Sequence, residues 1–176
     1  MARVRISSGK RGAGLAAVFA ALLGPGCAPA APAPRAEGAP PTIVSLNPCL
    51  DAILVEVAGP QQVLALSHYS RDPGSSSIPA RVAARYGVTG GAAEEVIALR
   101  PDLVLASSFL PQPTRRALER AGLRVATFGS PKTIAESIAQ VREVAELAER
   151  PRAGTALAAR LASAPPPAGP PISALL

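Results

Sequence analysis

The stretch LVLASSFLPQPTRRALERAGLRVATF, Leu103 to Phe128, carries the pattern that decides the fold. Residues 103–106 (LVLA) form a short apolar run that reads as a strand, and residues 124–128 (RVATF) read as another. Between them, residues 114–121 (TRRALERA) read as a helix. A helix inserted between two strands is a crossover, and crossovers join parallel strands.

The same alternation extends outward on both sides. Upstream, residues 42–46 (TIVSL) predict a strand, residues 49–57 a helix and residues 63–66 a second short strand. Residues 67–78 (SHYSRDPGSSSI) read as a polar, turn-rich loop and residues 81–86 as one or two helical turns. A Gly90-Gly91 turn then precedes a helix over 93–99. Downstream, Thr133 and Glu136 form a T-x-x-E capping box. Ile134, Ile138, Val141, Ala145 and Ala148 follow at alternating spacings of four and three, which puts them on one helix face. After Pro151 a weaker helix over 153–162 runs into the Pro-rich APPPAGPP of residues 164–171. The closing ISALL, residues 172–176, reads equally as the start of a strand or as a frayed tail. The expected fold class is α/β, a small parallel sheet flanked by helices in a single Rossmann-like lobe. Residues 42–150 make the lobe, and residues 151–176 begin a linking helix that ends in the Pro-rich tail.

Composition narrows the function. The 18 bases and 12 acids give +6, but Arg3, Arg5, Lys10 and Arg11 supply four of those charges. From residue 31 onward 14 bases face 12 acids, a balance of +2, so the basic character gives no case for nucleic acid. Aromatics make up 3% of the chain and Trp is absent, which disfavours base-stacking surfaces. A single His excludes a zinc site built on two or more imidazoles.

Residues 1–30 read as an export signal: a basic start, then the apolar core GLAAVFAALL of residues 14–23, then small residues. That core is about half the ~20 residues a membrane span needs. Two processing routes stay open. Ala28-Pro29-Ala30 is an A-x-A cleavage site, whereas Gly26-Cys27 is similar to the lipobox of bacterial lipoproteins, in which Cys27 would be acylated. Gly24 stands where lipoproteins usually carry Leu. Residues 31–41 are a Pro/Ala linker. With Cys27 acylated or removed, Cys49 is a single thiol, expected to be half-buried rather than reactive.

No phosphate-binding glycine motif occurs, and Gly90-Gly91 is better read as a turn. A hydrolase would have to pair Ser107 or Ser108 with His68, yet no G-x-S-x-G elbow surrounds either serine. The expectation is a binding protein, not an enzyme. Open α/β sheets bind ligands beyond the C-terminal ends of their strands. Those positions hold Asn47, Pro48 and Cys49; His68 and Tyr69; Ser107, Ser108 and Phe109; and Ser130. Small neutral groups around a few rings suit a bulky neutral or chelated ligand, with no separate cofactor.

Three stretches resemble a known family: Ile43-Val44-Ser45-Leu46-Asn47-Pro48; Ser67-His68-Tyr69-Ser70; and Gly87-Val88-Thr89-Gly90-Gly91 followed by EEVIALRPDLVLA, residues 94–106. They are similar to the N-terminal lobe of class III periplasmic substrate-binding proteins of ABC importers, the cobalamin and ferric-siderophore branch. The resemblance implies a periplasmic or exported protein, possibly lipid-anchored at Cys27, whose ligand is a metal chelate: a corrinoid, a ferric siderophore or haem. It implies an ABC permease as partner and a cleft between two lobes. Pro48 and Cys49 match the first cleft loop, Tyr69 an aromatic against the ligand, and Ser107 a position where some relatives place a large aromatic. Two features depart from the pattern. Relatives carry an acid near the start of the helix after the Ser107 loop, where this chain has Gln112-Pro113-Thr114-Arg115. The linking helix is short, and the second lobe is missing, so the resemblance implies a truncated protein. A stand-alone, single-lobe exported interaction protein is the alternative.

Overall fold

The computed structural model describes residues 38–164. The expected export signal, Cys27 and the Pro-rich tail from residue 165 lie outside the described residues.

Five strands form one all-parallel sheet in the order β3-β2-β1-β4-β5. The strands are β1 (Ile43–Ser45), β2 (Val63–Ser67), β3 (Val88–Thr89), β4 (Leu103–Ser107) and β5 (Arg124–Phe128). Six helices connect and cover them: α1 (Pro48–Val57), α2 (Ala80–Ala83), α3 (Ala93–Leu99), α4 (Gln112–Arg120), α5 (Ile134–Leu147) and α6 (Pro151–Ala162). This is the α/β class the alternation predicts.

The central strand β1 has both faces covered. Ile43 points with Leu103 and Leu105 into a core shared with Leu50 and Leu54 of α1 and Val144, Ala145 and Ala148 at the end of α5. Val44 and Val104 point the other way, onto Val96 of α3 and Leu118 of α4. Alternate residues thus feed opposite helix layers, as a two-faced parallel sheet requires. A register shift where β1 pairs with β2 places Val63 opposite Ile43 and Ala65 opposite Val44.

Asn47 caps α1, its Oδ1 accepting from the amides of Cys49 at 2.9 Å and Leu50 at 3.3 Å, and Pro48 opens the first turn. Thr133 caps α5 by accepting from the Glu136 amide at 3.1 Å. Glu136 reaches back to the Lys132 amide at 2.6 Å, one residue earlier than a standard capping box. At the other end of α5, Glu149 takes a left-handed conformation (φ 57°). The Arg150 amide bonds to Ala145 O and the Glu149 amide to Glu146 O, a Schellman ending that turns the chain into Pro151 and α6.

Several expectations are corrected. Residues 67–78 are not wholly a loop: Ser67 ends β2, and His68–Arg71 form a 3₁₀ turn. Val88–Thr89 is a strand, defined by pairing with Leu66 and Ser67. On α5, Ile134 is 71% exposed, while Val144 joins Val141, Ala145 and Ala148 in the buried stripe. The first turn of α5 is exposed, so its buried face starts later than the periodicity indicates. Cys49 is exposed rather than half-buried, on the outward side of the first turn of α1.

α6 packs on α5 and α1, with Ala153 and Leu157 against the first core. Gly154 makes this crossing possible: a Cβ there would overlap the Cβ of Ala145. In an open helix Gly→Ala stabilises by up to about 1 kcal/mol. At this crossing we expect Gly154→Ala to destabilise by about 1–3 kcal/mol in urea denaturation, through overpacking. A variant as stable as the wild type would mean that α6 does not seat against Ala145.

Candidate functional site

The C-terminal ends of the parallel strands gather the loops that follow them along one rim. β1 lies at the centre of the sheet, with β2 on one side and β4 on the other, so consecutive connections diverge between β1 and β4. Such a divergence leaves a crevice at the strand ends, where ligands of open α/β sheets sit.

Two neighbouring depressions mark this rim. One, of about 220 Å³, lies at the divergence and is lined by Asn47, Cys49, Ser107 and Ser130, with Phe128 and Gln140 beside them. The other, of about 320 Å³, is lined by His68, Tyr69, Thr89, Gly91 and Leu110, with Leu46 among its remaining walls. The sequence-predicted residues are therefore divided between the two. Pro48, Ser108 and Phe109 line neither. Pro48 serves the start of α1, Ser108 is exposed with its amide bonded to Phe128 O, and Phe109 stands out from the rim at 82% exposure.

The rim carries two kinds of group. The first is aromatic: Tyr69 is 45% exposed, and the His68 ring lies 4.0 Å from it at an interplanar angle of 35°. The second is small and neutral, and much of it is occupied in shaping loops. Ser107 Oγ accepts from the Phe109 amide at 3.1 Å, and Asn47 Oδ1 serves the helix cap. The Gly90-Gly91 turn is equally engaged. The Gly90 amide donates to Glu95 Oε2 at 2.7 Å, and the Gly91 amide to Thr89 Oγ1 at 3.1 Å. With both amides taken, this turn is no phosphate cradle. The two bonds from Thr89 and Gly90 hold the Glu95 carboxyl below its ordinary pKa.

Ser107 and His68 belong to different depressions, and no hydrogen bond among the described residues joins either serine of that loop to the imidazole. The serines of this loop and His68 therefore do not form a nucleophile–base pair in this structure. No three His, Cys, Asp or Glu side chains among the described residues gather as a metal site. No described helix is long and apolar enough to cross a membrane.

Beneath the rim lies a residue that sequence reasoning missed. Asp51 is fully buried in the first turn of α1. Its Oδ2 accepts from Ser67 N at 3.1 Å, Ser67 Oγ at 2.5 Å and Ser70 Oγ at 2.6 Å, while Oδ1 has no partner. Burial raises the Asp51 pKa above 3.8, and the neighbouring serine hydroxyls and the Ser67 amide offset only part of that rise. The signal was present in the sequence: Asp51 stands between Leu50 and Leu54, at a spacing of three from a core residue.

A family model described as periplasmic binding protein matches residues 43–175. No curated protein matches the chain significantly. Among solved structures, a periplasmic haem-binding protein from Pseudomonas aeruginosa is 22% identical with a TM-score of 0.57, over 69% of this chain and 43% of that one. A periplasmic haem-binding protein of Vibrio cholerae is 17% identical with a TM-score of 0.57, over 69% of this chain and 46% of that one. The periplasmic vitamin B12-binding protein of Vibrio cholerae is 22% identical with a TM-score of 0.54, over 70% of this chain and 48% of that one. At these identities the likeness establishes a shared fold. The chain spans less than half the length of each.

The Asp51 environment has a measurable consequence. Its carboxyl binds a proton more tightly in the folded state than in the unfolded one. Its contribution to stability is therefore greatest when protonated and declines as pH rises from 3.8 through the raised folded value. Asp51→Asn keeps an oxygen acceptor for the serines but does not titrate. Denaturation of both proteins across acid to neutral pH should show wild-type stability falling relative to the variant as pH rises. A difference that stays flat would contradict the raised value.

Proposed function

Because the chain belongs to the periplasmic binding protein family, we propose that it supplies one wall of a ligand cleft in the substrate-binding component of an ABC importer. The ligand is a metal chelate, haem or a corrinoid or a ferric siderophore, captured outside the cytoplasm and passed to a permease. Family membership implies the exported location. Acylation of Cys27 would tether the protein to the membrane.

The observation that carries this reading is the rim itself. Rings at Tyr69 and Phe109 stand 45% and 82% exposed at the strand ends, among neutral groups. Exposed aromatics on a rim offer flat apolar area to a large, delocalised ligand at low conformational cost. The haem and vitamin B12 named for the similar solved structures are ligands of this shape class and support the choice. Cys49 and Ser130 add small polar contacts in the adjoining depression.

Closure needs a second surface. Small-molecule sites bury some 70–90% of their ligand, and two open depressions on one rim do not enclose a tetrapyrrole. The proposal therefore places a second lobe across the rim. Docking to the permease is also part of it. Glu119, the one acid on α4, is engaged by Arg115 at 2.8 Å, so an acid-led contact on this helix would have to break that pair.

Calorimetry or optical titration with hemin, cobalamin and a ferric siderophore tests the reading. We expect micromolar or weaker affinity for at least one of the three. Tyr69→Ala should weaken it by about tenfold, equivalent to roughly 1.4 kcal/mol. Nanomolar affinity in this chain alone would overturn the half-cleft, and failure of all three to bind would overturn the ligand class.

A further inference from the structure

The rings that face the cleft are held from below. His68–Arg71 form a single 3₁₀ turn whose outer residues, His68 and Tyr69, are exposed, while Ser70 is buried at 2%. Ser67 and Ser70 bracket the two rings in sequence, and both hydroxyls converge on one oxygen of Asp51. The Ser67 amide joins them at 3.1 Å. On its far side the turn is tied by Arg71 Nη2, which donates to Tyr86 O at 2.8 Å, and by the Asp72 amide, which donates to Tyr69 O. The Asp51 bonds are the side-chain anchors of the turn on its α1 side.

We infer that Asp51 is a positioning residue of the ligand site, fixing the direction of Tyr69 and His68 by gripping Ser67 and Ser70 from inside the lobe. A buried carboxylate is costly unless its bonds do something a neutral group would not. Asp51 gathers three donors onto one oxygen, and hydrogen bonds to charged groups are roughly twice as strong as neutral ones. Without the acceptor, the two serines and the Ser67 amide lose their buried partner, and the turn keeps only its ties through Arg71 and Asp72. The importance of that pose for binding rests on the ligand reading above; the grip itself does not.

The chain has two tyrosines and no tryptophan, so Tyr86→Phe leaves Tyr69 as the one tyrosine fluorophore. The bond from Arg71 goes to the Tyr86 backbone and survives that change. In this background, without ligand, Asp51→Ala should raise acrylamide quenching of Tyr69 up to about twofold, the ratio of a free ring to one 45% exposed, and lower its anisotropy. Asp51→Asn, which keeps a weaker, neutral acceptor, should restore part of the wild-type signal, a rescue that simple loss of packing would not give. Far-UV circular dichroism checks the fold. If Asp51→Ala does not fold, Ser70→Ala removes a single bond and reads the same quenching. A folded Asp51→Ala or Ser70→Ala protein with unchanged Tyr69 quenching and anisotropy overturns the inference. Hemin titration of the same variants separates the two claims. A loosened Tyr69 with unchanged hemin affinity keeps the positioning role and counts against the ligand reading.

Discussion

The whole lobe depends on the burial of β1. Ile43, Val44 and Ser45 have no exposed surface, so the chain must supply a helix layer on each side of this strand and a hydrogen-bonded neighbour along each edge. A parallel strand can gain those neighbours only through crossovers, which sends α1 and α5 to one face and α3 and α4 to the other. Because all five strands point the same way, every loop that follows a strand ends on the same rim. The site is thus a consequence of the packing constraint. The rim is where the fold leaves polar backbone, small residues and exposed rings together.

The two ends of the sheet are built differently. At the N-terminal end Gln62 is buried and has its side-chain groups satisfied. Its Nε2 donates to Pro41 O and Ala148 O, and its Oε1 accepts from the Gly59 amide and Arg150 Nε. This clamp locks the entry to β1, the α1–β2 turn and the end of α5 together. At the opposite end Asp51 is buried with one oxygen crowded and the other unpartnered. A complete network rigidifies, whereas an incomplete buried one marks a place where stability gives way to another requirement. The rim above Asp51 is the part of the lobe that such a requirement would serve.

Much of this was legible from local pattern. β5 and α3 appear at the residues expected because their ends are punctuated, by Gly122 before β5 and by Pro101 after α3. The Thr133 cap located α5 because the side chain and the amide it accepts from lie three residues apart. What escaped local pattern was set by partners distant in sequence. Val88–Thr89 is a strand because β2 lies beside it, and Ile134 is exposed despite its place in the apolar repeat. Asn47 and Ser107 line the strand-end depression while their side-chain oxygens also shape α1 and the β4–α4 loop, a second duty that local pattern does not show. Cys49, expected half-buried, is exposed in the first turn of α1. Asp51 could be noticed on the inner face of α1, but its link to the turn at Ser67 and Ser70 exists only once β2 is folded against that helix.

The most direct test of the account is amide NMR of the ¹⁵N-labelled chain during titration with hemin, which also registers weak binding. The account predicts that shifts and paramagnetic broadening concentrate at Cys49, His68, Tyr69, Ser107, Ser108, Phe109 and Ser130. The amides around Gln62 and Arg150 should stay in place. Perturbations centred on the Gln62 end of the sheet, or spread over the outer helix faces, would contradict the assignment of the strand-end rim as the ligand wall.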